Sequence, residues 1–80
     1  MDDQTIIDQI NDLTHEEQAL FEKESHGDAT RPDQERLKRI QVMLDQCWDL
    51  LHQRRARRNA GLNPDEAAVR DESIVEGYVD

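Results

Sequence analysis

The chain lacks most of what holds very small folds together. Its 80 residues include one cysteine, three glycines, two prolines, and one each of Phe, Trp and Tyr. A lone Cys47 excludes an internal disulfide. With no secretion signal in the acidic start MDDQT, it leads us to expect a reducing cytoplasm. Three aromatic side chains do not make a large aromatic core. The longest apolar runs, such as Ala19-Leu20-Phe21, are three residues long, so no membrane span is expected. There is no glycine-rich phosphate loop, no internal repeat and no low-complexity tract.

Charge, by contrast, is plentiful. Charged residues make up 36% of the chain and hydrophobic residues 35%. That is polar for a globular protein, but short of the composition of disorder. At this length the chain makes one domain at most, near the lower limit for a self-sufficient core. The net charge of −9 is unevenly spread. Residues 1–30 hold nine acids and one lysine (−8), residues 31–58 eight bases and four acids (+4), and residues 59–80 six acids and one arginine (−5). The order acid, base, acid allows the blocks to neutralise one another within a fold.

Two helices follow from periodicity. Ile6, Ile10, Leu13, Glu17 and Leu20 recur at spacings of four and three, and Ile7, Thr14 and Phe21 form an adjacent row. This predicts a helix over about 3–25, capped by Asp2 or Asp3. Thr14-His15-Glu16-Glu17 matches a capping box, but the stripe runs through it in phase, so it is placed mid-helix. "SHGDATRP" (25–32) then supplies turn chemistry, with Thr30 as the next N-cap and Pro32 in the first turn. The second helix is predicted over about 31–60, with Leu37, Ile40, Leu44, Cys47, Leu51, Arg54 and Arg58 on one seam. Met43 and Leu50 widen that stripe on one side and Trp48 on the other. Gly61 is its C-cap signal.

The short connection makes the helices antiparallel neighbours. Opposed residues then have a constant number sum. Leu20 with Leu37, Leu13 with Leu44, Ile10 with Cys47 and Ile6 with Leu51 all give 57. Glu17 with Ile40 fits the same series, as the one polar seam member. The next pair is Asp3 with Arg54, which sets the arginine run 54–58 beside the acidic start of the first helix. Beyond the hairpin, Asn63-Pro64-Asp65-Glu66 starts a short third helical element. "SIVEGYVD" is expected to be an extended tail anchored by Ile74, Val75 and Tyr78. The expected architecture is all-α: a hairpin over 1–62, then a helical turn and acidic-apolar tail over 63–80.

"LDQCWDLLHQRRARRNAGLNPDEAAVR" followed by "SIVEGYVD" resembles a small actinobacterial family of unknown function, domain-of-unknown-function family 2630. The resemblance covers nearly the whole chain and is most specific over residues 44–79. It implies a bacterial cytoplasmic protein. It implies no activity, substrate or catalytic residue.

Candidate sites are sparse. Asp12-x-x-His15 and Asp49-x-x-His52 approach the Glu-x-x-His spacing of di-iron bundles, but neither acid faces the seam, so both are read as solvated and no metal or other cofactor is expected. Cys47 lies in the apolar seam, and His52, five residues on, points elsewhere. That suits a small core residue rather than a nucleophile, and no enzyme is expected. The cluster Arg54, Arg55, Arg57 and Arg58 suits phosphate binding, with Arg55 and Arg57 pointing outward. Against this, the chain is acidic and no aromatic residue interleaves the arginines, so nucleic acid is disfavoured. Trp48 can simply cover the hairpin and Glu17 simply reach for water. The alternative is a second apolar surface made of Ile7, Phe21, Met43, Trp48 and Leu50, which exceeds what a hairpin seam needs. We therefore expect an interaction module, homo-oligomeric as a four-helix bundle of coiled-coil type, with an unidentified protein partner also allowed and no membrane. On this reading Leu50→Glu weakens the dimer more than it unfolds the hairpin. The runner-up is a small regulator contacting nucleic acid or its machinery through Arg55 and Arg57. The tail is expected to fold back, with acids of 71–76 meeting Arg55, Arg57 and Arg58, rather than to dock on another protein.

Overall fold

The structure, a computed structural model, describes residues 2–76. Helix α1 runs Asp3–Ser25 and helix α2 runs Arg31–Asn59. A 3₁₀ turn (Pro64–Glu66) and a five-residue helix α3 (Glu72–Glu76) follow. There is no strand among the described residues.

Each boundary has a local cause. Asp2 caps α1 by accepting from the Thr5 backbone N–H at 2.8 Å. Thr30 and Asp33 form a capping box that starts α2, with Pro32 in its first turn. The match at Thr14 is not used, because its hydroxyl donates back to the Ile10 carbonyl at 2.8 Å within α1. Both long helices end in the same way. The Gly27 and Asp28 N–H groups return to the carbonyls of Glu24 and Lys23, and those of Gly61 and Leu62 to the carbonyls of Arg58 and Arg57. Gly27 (φ 73°) and Gly61 (φ 74°) take the left-handed conformation that this closure requires.

The seam forms in the expected register. Ile6, Ile10, Leu13 and Leu20 are buried against Leu37, Ile40, Cys47 and Leu51, and Ile6 and Ile40 are fully enclosed. Leu44 and Glu17 are half-buried. At the open end Arg54 Nε donates to Asp3 Oδ1 at 2.6 Å, as the constant sum requires. Across the seam near the loop, Glu16 and Arg36 make a two-point pair, and Lys23 meets Asp33.

The two flanks of the seam differ. Successive helical residues are offset by about 100°, so Gln9 and Glu16 lie on one side of the α1 seam row, and Ile7, Thr14 and Phe21 on the other. On α2, Arg36, Met43 and Leu50 lie on one side and Trp48 on the other. The Glu16–Arg36 pair joins two of these flanks. Gln9, Met43, Cys47 and Leu50 line one small cleft together. Ile7, Phe21 and Trp48 therefore share the opposite face of the hairpin.

The chain after Gly61 turns back and covers the Met43–Leu50 side. Val69 completes the cleft, Ala67 packs on the core, and Val75 is buried. One detail differs from the extended tail expected above: residues 72–76 close into helix α3, with the Ile74 and Val75 N–H groups both bonded to the Asp71 carbonyl. Residues 77–80, including the expected anchor Tyr78, lie outside the described residues.

Candidate functional site

The most organised polar feature is the seat of the returning segment on α2. Gln46, Asp49, Gln53 and Arg57 recur every three or four residues, so they form one row along the helix. Each grips a successive point of the segment. Arg57 donates to the Asn63 carbonyl at 2.8 Å and to Glu66 at 2.6 Å. Gln53 donates to the Ala68 carbonyl at 2.9 Å, and Gln46 to the Arg70 carbonyl at 3.2 Å. Asp49 accepts both arms of the Arg70 guanidinium and the Gln53 amide. An irregular strand of backbone thereby has its carbonyls satisfied by side chains rather than by a sheet.

The arginine run is largely consumed in the same way. Arg54, whose side chain is only 7% exposed, bonds Asp3, the Asp65 carboxylate at 3.0 Å and the Pro64 carbonyl at 3.2 Å. Arg58 reaches Asp3 Oδ2 at 2.7 Å. Arg57 was expected to point outward, but it is half-buried and paired with Glu66. Arg55 is exposed and makes no ion pair or hydrogen bond among the described residues. Asp65 and Glu66 reach the run, and the segment then runs antiparallel to α2, with the Ala68 carbonyl already at Gln53.

The expected apolar surface is divided. Ile7, Phe21 and Trp48 are 37%, 44% and 48% exposed on the bare face. Leu50 is 5% exposed and belongs to the core, and Met43 packs against that core, both beneath the returning segment. The reading of Leu50 as a dimer contact is thus corrected: the chain covers it with its own C-terminal part. Of the tail anchors, Val75 is buried and Ile74 is half exposed.

Asp49 is a second correction. It was read as solvated, yet it is buried against Arg70. What sequence reasoning missed here had one visible signal, a single arginine in the otherwise acidic stretch 59–80. Asp12, His15 and His52 are exposed. Among the described residues no group of three or more His, Cys, Asp or Glu side chains converges to hold a metal ion. Burial pushes the Cys47 thiol above its ordinary pKa, which keeps it protonated and poorly nucleophilic. No helix among the described residues is long and apolar enough to cross a membrane.

The pairs make a statement about acid. The Arg54 hydrogen bond holds Asp3 below its ordinary pKa of 3.8, the Arg70 bond does the same for Asp49, and the Arg36 bond for Glu16. A carboxylate whose folded pKa is depressed stabilises the fold above its unfolded pKa, and that stabilisation is lost as pH falls through the folded value. Unfolding free energy from urea titrations is expected to be flat from about pH 5 to 8. It should fall once the pH drops below the ordinary carboxylate range. A main transition near pH 6 would assign the effect to histidines instead.

Comparison with known proteins agrees with the family resemblance. A family model described as "Protein of unknown function (DUF2630)" matches residues 2–80. Uncharacterised proteins of Mycobacterium tuberculosis and Mycobacterium bovis are each 48% identical over 77 residues, covering 95% of this chain and 88% of the relative. No solved structure matches.

Proposed function

Since the chain belongs to this family of proteins of unknown function, its role must be read from its own surface, and we propose that it is a non-enzymatic protein–protein interaction module. The partner is a second copy of the chain, docked through the bare face of the hairpin to form a four-helix bundle. One observation carries this reading: Ile7, Phe21 and Trp48 are exposed on the hairpin face opposite the one that the described part of the returning segment covers.

The setting of that face supports the proposal. Between its apolar side chains lie Asn11, Thr14, Gln18, Gln41 and His52, with Asp45 in the same row of α2. In a chain that is 36% charged, Asp45 is the one acid in the central row of this face on α2. Interface cores are depleted in charge and enriched in aromatics. The −9 charge of each copy would then sit largely away from the contact, which limits self-repulsion.

Light scattering on a sizing column tests this. The expected species is twice the 9.4 kDa chain. The double variant Ile7→Glu/Trp48→Glu should run as a monomer with unchanged helicity by circular dichroism. A wild-type protein that is monomeric at millimolar concentration would remove the dimer from consideration.

The runner-up, a nucleic-acid contact through the arginines, retains only Arg55, because Arg54, Arg57 and Arg58 are engaged with Asp3, Asp65 and Glu66. Salt-dependent binding separates it from apolar docking.

A further inference from the structure

Two hairpins laid face to face can be related by a two-fold axis in two ways. An axis along the helices sets α1 over α2 of the other copy, with both loops at one end. An axis across the helices sets α1 over α1 and α2 over α2, with the loops at opposite ends. Resting on the dimer reading above, we propose that the axis runs along the helices, so that Trp48 of each copy covers Ile7 of the partner subunit.

The register of the hairpin sets which side chains meet in the lengthwise arrangement. Opposed positions sum to 57, so Trp48 lies level with position 9 of α1. That is two residues from Ile7, about 3 Å along the axis. Both side chains are exposed on the same face, on different helices. With the axis along the helices, α2 lies over the partner's α1 at equal level, and each Trp48 meets the partner's Ile7. The contact occurs twice and is self-complementary.

Charges agree. Arg55, without a partner in its own chain among the described residues, is level with position 2 and comes over the partner's Asp3, whose side chain is 34% exposed. At the rims, Lys38 is level with position 19 and stands beside the partner's Glu22. Both are exposed, and neither side chain has an ion-pair partner among the described residues. The crosswise axis, with α1 overlapped on itself, pairs Ile7 with the partner's Phe21 instead and supplies neither the Arg55–Asp3 nor the Lys38–Glu22 contact.

Cross-linking reads the arrangement directly. In a Cys47→Ala background, Ile7→Cys and Trp48→Cys chains are prepared separately, mixed and oxidised mildly. The mixed pair should form a disulfide on the order of tenfold faster than an Ile7→Cys and Phe21→Cys mixture, because pairing raises the effective concentration of adjacent thiols. In parallel, Lys38→Glu should weaken the dimer roughly threefold, and adding Glu22→Lys should restore it. A dimer that cross-links Ile7→Cys to Phe21→Cys instead, or that shows neither preferential linkage nor charge-swap rescue, overturns this arrangement while leaving the dimer standing. A monomer throughout overturns both.

Discussion

Arg54→Glu is expected to open the end of the hairpin away from the loop and to lower the melting temperature by on the order of 10 °C. From the sequence alone the change looks modest, because exposed ion pairs contribute little and are screened by salt. The structure raises the expectation. The Arg54 side chain is 7% exposed and sits between Asp3 of α1, Asp65 and the Pro64 carbonyl. It joins α1, α2 and the 3₁₀ turn, which no disulfide cross-links. The variant would face two carboxylates and one carbonyl with a third carboxylate, where a guanidinium had satisfied all of them. Adding Asp3→Arg should recover part of the loss through the inverted pair and leave Asp65 unanswered. Scanning calorimetry of the two single variants and the double variant measures the coupling. If the two changes simply add, Arg54 and Asp3 are not in contact and the register is wrong. High salt should rescue little, since the site is shielded from the solvent ions that screen surface pairs.

The hairpin itself was legible because its signals are local. Thr30 with Asp33, Gly61 after the last apolar turn, and apolar spacings of three and four each act over less than two turns. The helices expected at about 3–25 and 31–60 are found at Asp3–Ser25 and Arg31–Asn59. The register was legible for a related reason: a constant sum leaves one freedom, and the apolar pairs fix it. Asp3 with Arg54 then followed by extrapolation. The path of residues 62–70 was not legible. It is held by Gln46, Asp49, Gln53 and Arg57 gripping carbonyls and single side chains, and such contacts impose no period on the segment they hold. Asp49 was misread for that reason, since its partner Arg70 is 21 residues away in irregular chain. The apolar stripe of α2 is wider than the seam with α1. Periodicity does not say what covers each edge. The chain itself covers Met43 and Leu50, and leaves Trp48 to the solvent or a partner.

That division leads to the sharpest contrast on α2, between Leu50 and Trp48, two residues apart. Leu50 is 5% exposed, in contact with the cleft that Val69 closes, whereas Trp48 is 48% exposed. Leu50→Ala is expected to cost about 2–4 kcal/mol through lost burial and the cavity left beneath the returning segment. Leu50→Glu should go further and unfold the hairpin or expel the segment, because a carboxylate there has no buried partner. Trp48→Glu should leave the unfolding of a single chain within about 0.5 kcal/mol of wild type, as a surface change does, while abolishing association. Urea unfolding at several protein concentrations distinguishes the two positions. Stability of the Trp48 variant should be independent of concentration, and that of wild type should rise with it, because association stabilises only the folded chain. Leu50→Ala should keep the concentration dependence and lose stability at every concentration. A Leu50→Glu protein that stays fully folded as a monomer would show that the returning segment does not cover this flank in solution. The dimer surface would then include it.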